Sequence, residues 1–136
     1  MAELRRQFVL PTADVEFLDG LGLPWETVTD GGAMWLLVRE FEVPAAYQPS
    51  KVSVALSIPP SYPDAPLDMA YFHPHVVRVD RAAIGGLTDR ALDGAVWQQW
   101  SRHRTGDNPW RVGQDSIETQ FLLVREWLER ELRKAA

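Results

Sequence analysis

Lys51-Val52-Ser53-Val54-Ala55-Leu56-Ser57-Ile58 runs directly into Pro59-Pro60-Ser61-Tyr62-Pro63-Asp64-Ala65-Pro66. The first eight residues alternate strictly. Val52, Val54, Leu56 and Ile58 point one way, the signature of a half-buried strand. The next eight hold four prolines. Proline lacks the backbone N–H and fixes φ, so neither a helix nor a central strand passes through them. Leu67 to Phe72 then reads as another strand. The proline-rich stretch is therefore a rigid loop stapling two strands, with Tyr62 packed beneath it.

Upstream, Met34 to Phe41 reads as a strand and Trp25 to Thr29 as a short β-prone run. Between them Asp30-Gly31-Gly32 carries a hairpin-turn signal. Four strands joined by short connections suggest an antiparallel meander. Thr12 to Leu21 reads as a short helix, with Thr12 as N-cap and Gly20 and Gly22 as stops. At the other end Ile117, Phe121, Val124, Leu128 and Leu132 recur at helical spacing. Asp115 or Ser116 caps that long helix, and Arg133 and Lys134 suit its last turn. Val76 to Gln114, broken by Gly85-Gly86, Gly94, Gly106 and Pro109, reads as loops with brief elements. The expectation is one α+β domain over 1–136. Trp35, Leu37, Val52, Val54, Leu56 and Met69 should give the sheet side of its core, and Phe121, Val124 and Leu128 the helix side.

A chain of 136 residues, 46% hydrophobic and 24% charged, has the balance of an ordinary folded protein. No apolar run approaches the ~20 residues of a membrane span. Phe8 to Leu10 with Pro11 is too short for a signal-peptide core, which points to the cytoplasm. The net charge of −5 disfavours nucleic acid as partner. Cysteine is absent, which excludes disulfides, thiolate metal sites and a thiol nucleophile. Gly31-Gly32 and Gly85-Gly86 lack the context of a phosphate loop, so no nucleotide cofactor is expected. His73, His75 and His103, with Asp68, Asp80 or Asp107, do not have a typical zinc spacing, and no metal is expected.

The layout of a meander, then Tyr62-Pro63-Asp64-Ala65-Pro66, then a fourth strand, then His73-Pro74-His75 resembles the ubiquitin-conjugating enzymes. Within them it resembles the prokaryotic ubiquitin-conjugating-enzyme-like family E. The residues that carry the likeness are Gly22-Leu23-Pro24-Trp25-Glu26, Trp35-Leu36-Leu37, Phe41-Glu42-Val43-Pro44, Ile58-Pro59-Pro60-Ser61-Tyr62-Pro63, Leu67-Asp68-Met69 and Trp97-Gln98-Gln99-Trp100-Ser101-Arg102-His103. The resemblance implies the ubiquitin-conjugating-enzyme fold: a four-stranded antiparallel meander, a short N-terminal helix and a long C-terminal one. It also implies a place in a bacterial ubiquitin-like modification pathway, with phage defence as its setting. A ubiquitin-like protein and an activating-enzyme-like protein are the implied partners.

Two departures bear on the chemistry. Without cysteine no thioester forms, and His75 stands where the family's tripeptide carries asparagine. The resemblance places the catalytic stretch between the tripeptide and the last helix, where Ser101 is the hydroxyl best placed to replace a thiol. In an extended chain His103 projects to the same side and can act as its base. A His75 N–H can support an oxyanion. Ser101, His103 and His75 are thus the candidate catalytic residues, with a serine oxyester as the carried form. His73, beside a proline, is expected to bond a backbone carbonyl and lock a turn. Trp97, Trp100, Arg102 and Arg104 are candidate partner-binding residues, as aromatics and cations in an acidic protein. The alternative is a catalytically inactive binding or adaptor module of the same fold.

Overall fold

The computed structural model describes residues 3–134. In chain order its elements are α1 (Thr12–Gly20), β1 (Trp25–Asp30), β2 (Ala33–Glu42), β3 (Tyr47–Gln48), β4 (Lys51–Ile58), β5 (Ala70–His73), β6 (Val77–Arg78), β7 (Leu87–Leu92), β8 (Ala95–Trp100) and α2 (Ile117–Leu132). One antiparallel sheet has the order β1-β2-β4-β5-β8-β7, and β3 pairs separately with β6. The fold is α+β, with a short N-terminal and a long C-terminal helix. The expected four-strand meander is present, and two further strands extend it. These are β7 and β8, from the stretch that reads as loops in the sequence. Their hairpin turns on Asp93 and Gly94, at φ 52° and 75°. The β1–β2 hairpin turns on Gly31 and Gly32, at 59° and 80°. Two-residue hairpin loops of this hand require positive φ at both positions, hence Asp-Gly and Gly-Gly.

Both helices pack on one face of the sheet. Val54, Leu56, Ile58, Phe72 and Trp100 meet Leu18, Phe121, Val124 and Leu128 there. Phe121 sits between Phe17 and Phe41, with ring centroids 6.0 and 6.1 Å away. The start of α2 is closed by Ser116, whose N–H donates to Thr119 Oγ1 at 2.9 Å. At its other end Tyr47 Oη donates to Leu128 O at 2.6 Å and Arg78 Nη1 to Glu131 O at 2.8 Å. Terminal carbonyls of α2 thereby gain donors, and Arg78 complements the helix dipole. In α1, Thr12 is the first helical residue and Pro11 the N-cap, not Thr12.

Among the described residues the opposite face carries no helix, yet Val28, Trp35, Leu37, Ala55, Tyr71, Leu92 and Trp97 are buried there. The sheet rolls until its two hairpins touch. The Asp93 N–H donates to Asp30 Oδ2 at 2.8 Å. The Arg5 guanidinium bonds Asp93 at 2.7 and 2.8 Å and Glu26 Oε2 at 2.8 Å. Trp35 and Leu37 therefore belong to this concave core and not to the helix-side core expected for them, and Met69 packs beside them. On β2 it is Leu36 and Val38 that face the helices.

Glu26 also accepts from Arg39 Nη2 at 2.9 Å. Hydrogen bonds from Arg5, ahead of those from Arg39, hold its carboxyl down to about 2, against 4.5 for a free glutamate. The sign follows from linkage: a depressed folded-state pKa adds stability above pH 4.5, and this is lost as pH falls through about 2. Urea midpoints of wild type and Glu26→Gln should differ most at pH 5–7 and converge toward pH 2. A gap that stays constant with pH would remove Glu26 from the acid-sensitive set.

Candidate functional site

Tyr62 anchors the proline-rich loop. Its ring is half-buried and lies 6.3 Å from Trp110. Its hydroxyl donates to Asp14 Oδ2 at 2.8 Å and accepts from the Ile117 N–H at 2.9 Å. One side chain thus joins α1, the loop and the first turn of α2. Burial pushes the Asp14 carboxyl above its ordinary value.

The histidine tripeptide follows β5. His73 Nδ1 donates to Val96 O at 3.1 Å, and its ring lies 5.4 Å from that of Trp97. This is the backbone-carbonyl bond expected of it, made here to the neighbouring strand β8. His75 is exposed, with Nε2 2.8 Å from Asp89 Oδ1 on β7. His103 is exposed too, with Nδ1 2.8 Å from Asp68 Oδ2.

These histidines stand at opposite ends of β5. The register pairs Ala70 with Trp100 and Phe72 with Gln98. Ser101 and His103 continue past Trp100, alongside Asp68 and Met69, where the Met69 N–H donates to Arg102 O at 3.1 Å. Four residues of strand, roughly 13 Å, separate Met69 from His73. The structure does not bring Ser101, His103 and His75 together. Nor does Ser101 meet His103, because the Arg102 N–H turns back to Trp100 O at 2.9 Å. That tight turn, centred on Ser101, ends the extended geometry that would put both side chains on one side. Among the described residues the Ser101 hydroxyl has no hydrogen-bond partner, while its N–H donates to Gly86 O at 2.9 Å.

The four residues expected at a partner surface are turned inward. Trp97 is 1% exposed in the concave core, with Nε1 donating to Leu92 O at 3.0 Å. Trp100 is 1% exposed in the helix-side core, with Nε1 donating to Gln98 Oε1 at 2.9 Å. Arg102 lies over Trp100 and donates to Gly85 O and Glu131 Oε1, both at 2.9 Å. Arg104 lies over Trp110 and donates to Gln120 Oε1 at 3.1 Å. All four make these internal contacts because the segment they occupy is a sheet strand and its continuation under α2.

What this strand does support is the connection from Val76 to Gly86. The Gln98 amide holds both the N–H and the carbonyl of Val76 at 3.0 Å. Val79 N donates to Ala46 O at 2.8 Å. Gly86, at φ 70°, lies so close to Arg102 that a Cβ there would meet Nη1 at 2.9 Å. Between these anchors the connection walls a cleft of about 420 Å³ lined by Val76, Val77, Arg81, Ile84, Leu87 and Gln98. Arg81 at its lip is held at φ 64° by a turn in which Asp80 Oδ1 accepts from the Ala82 N–H at 2.9 Å. Its guanidinium makes no ion pair among the described residues. Val77, Val79 and Val96 are exposed nearby in the chain or sheet. The Val76–Ile84 side of this cleft has no sequence periodicity, so only tertiary anchoring reveals it. The Asp93-Gly94 turn was the available signal for its β7–β8 floor.

An antiparallel sheet backed by two helices, with a prolyl loop and a histidine–proline turn, is the layout of an E2-like fold. The model of Prokaryotic E2 family E matches residues 10–131, and the chain belongs to that family. No curated protein and no solved structure matches it. Among the described residues no helix is long and apolar enough to cross a membrane.

Proposed function

We propose that this chain serves a prokaryotic ubiquitin-like conjugation pathway as a non-covalent binding module, docking a ubiquitin-like protein for an activating-enzyme-like partner. The reading includes a cytoplasmic, single-domain protein and, as its setting, a bacterial defence complex. One observation carries it: the sequence has no cysteine, and among the described residues no histidine hydrogen-bonds the Ser101 hydroxyl. His103 is engaged with Asp68 and His75 with Asp89, and Ser101 lies beyond a turn from the first and along β5 from the second. The cleft beside His75, with the exposed Val77, is the docking surface in this reading.

The other reading is the serine oxyester. Ser101 Oγ would attack the activated carboxyl carbon of the ubiquitin-like protein, forming a C–O bond as the activating group leaves. The hydroxyl proton would pass to His103 once it is released from Asp68. Incubation with a cognate activating enzyme, ATP and the ubiquitin-like protein separates the two. The binding module gives a complex without a covalent adduct. An adduct that resists thiol reagents, is cleaved by hydroxylamine and disappears in Ser101→Ala would establish the oxyester and overturn the proposal.

A further inference from the structure

The two edges of the sheet are treated differently. Along β1 the N-terminal segment adds a short parallel rung: the Gln7 N–H donates to Thr27 O at 2.9 Å and the Thr27 N–H to Arg5 O at 3.1 Å. Along β7 nothing comparable is found among the described residues. Which groups are open follows from the register. Ser101 N donates to Gly86 O, so Gly86 and Ser101 form a hydrogen-bonded pair. In an antiparallel ladder such pairs alternate, so Thr88, Arg90 and Leu92 turn their backbone groups to β8. Leu87, Asp89 and Ala91 turn theirs outward, which leaves three N–H and three C=O groups in a row without a backbone partner among the described residues. Thr88 to Ala91 are all exposed.

The side chains along this edge divide by face. Leu87 lines the cleft and Asp89 reaches His75, both on the helix side. Arg90 lies on the concave side, its guanidinium 5.3 Å from the Trp35 ring centroid, without an ion-pair partner among the described residues. A second copy fits this pattern badly. Two-fold antiparallel pairing that engages all three outward residues of β7 centres on Asp89, and so sets Asp89 opposite its own copy. Like charges directly opposed destabilise a strand pair.

We infer that the outer edge of β7 receives an extended strand from a different protein. That strand places an apolar side chain beside Leu87 at the cleft, a cation beside Asp89 and a carboxylate beside Arg90. The inference is independent of the docking reading above, since it rests on backbone groups of β7 and makes no use of conjugation. Edge addition of this kind takes its affinity from main-chain hydrogen bonds and its specificity from alternate side chains.

The probe is a labelled peptide containing Val-Glu-Lys-Thr-Leu, which runs antiparallel to residues 91–87 and meets each requirement. Added to the full chain at millimolar concentration, it should slow amide exchange at Leu87, Asp89 and Ala91 and leave Thr88 and Arg90 nearly unchanged. N-methylation of the peptide lysine, whose N–H faces Asp89, should weaken binding about tenfold or more. N-methylation of its glutamate, whose N–H faces away, should not. Ala91→Pro removes an outward N–H without breaking the β8 ladder and should also abolish binding. Because the two methylated peptides act on wild-type protein, the test does not depend on that variant folding. Absence of protection at β7, equal effects of the two methylations, or concentration-dependent protection without peptide would each overturn the inference, the last in favour of a second copy.

Discussion

Tyr62→Ala should lower the unfolding free energy by about 3–5 kcal/mol, at the level of a core aromatic truncation. The half-buried ring alone would not reach that figure. Its hydroxyl, however, satisfies the Ile117 N–H at the start of α2 and donates to a buried Asp14. Truncation leaves both polar groups without this partner and removes the apolar support under Trp110. Leaving a buried polar group unsatisfied costs about 1–3 kcal/mol. Tyr62→Phe isolates that part: the ring stays and the two hydrogen bonds go, so it should fall between wild type and the alanine variant. Urea denaturation followed by tryptophan fluorescence measures both. An unchanged midpoint for Tyr62→Ala would mean that the prolyl loop does not join the two helices.

Trp97→Ala should cost a similar amount, about 3–5 kcal/mol, and should act on a particular part of the molecule. Trp97 fills the concave core together with Trp35, Tyr71 and Leu92. Its indole N–H is spent on Leu92 O inside its own hairpin. Removing it opens a cavity on a face that no helix covers, so the β7–β8 hairpin should exchange its amides faster than β2 or β4. A tryptophan serving a partner behaves in the opposite way: its loss weakens binding and leaves the melting curve in place. Thermal denaturation with residue-resolved hydrogen exchange distinguishes the two. A fully stable Trp97→Ala variant would return this residue to the candidate interface.

Local patterns carried much of the fold. The alternation of Lys51 to Ile58, the Asp30-Gly31-Gly32 turn, the prolines from Pro59 to Pro66 and the helical spacing of Ile117 to Leu132 are each decided within a few residues. The phase of β2 was not legible, and the cause is physical. Trp35, Leu36, Leu37 and Val38 are apolar in succession because both faces of that strand are buried, so period two has nothing to distinguish. β7 was hidden for the converse reason: Thr88, Asp89, Arg90 and Ala91 lie exposed on an edge and offer no hydrophobic alternation. At the candidate site, the contact of His73 with a carbonyl follows from its neighbouring proline and was readable. The separation of Ser101 from His75 depends on strand register between β5 and β8, and the parting of Ser101 from His103 on one backbone turn. Neither is encoded in the spacing of these residues. By number alone the tryptophans look like surface anchors, and for Trp97 and Trp100 it is burial on opposite faces of the sheet that accounts for them.

The seam where the two hairpins meet has a kinetic meaning. Asp30 and Asp93 are 63 residues apart, and Arg5 reaches Asp93 across 88. Contacts that close loops of this length gain their energy only after the intervening chain is ordered. The β1–β2 and β7–β8 hairpins can each form locally, while the seam between them must wait for β4 and β5 to take their places. Interactions absent from the transition state govern the rate of unfolding more than that of folding. The Arg5–Asp93 clasp is therefore expected to slow unfolding more than it speeds folding.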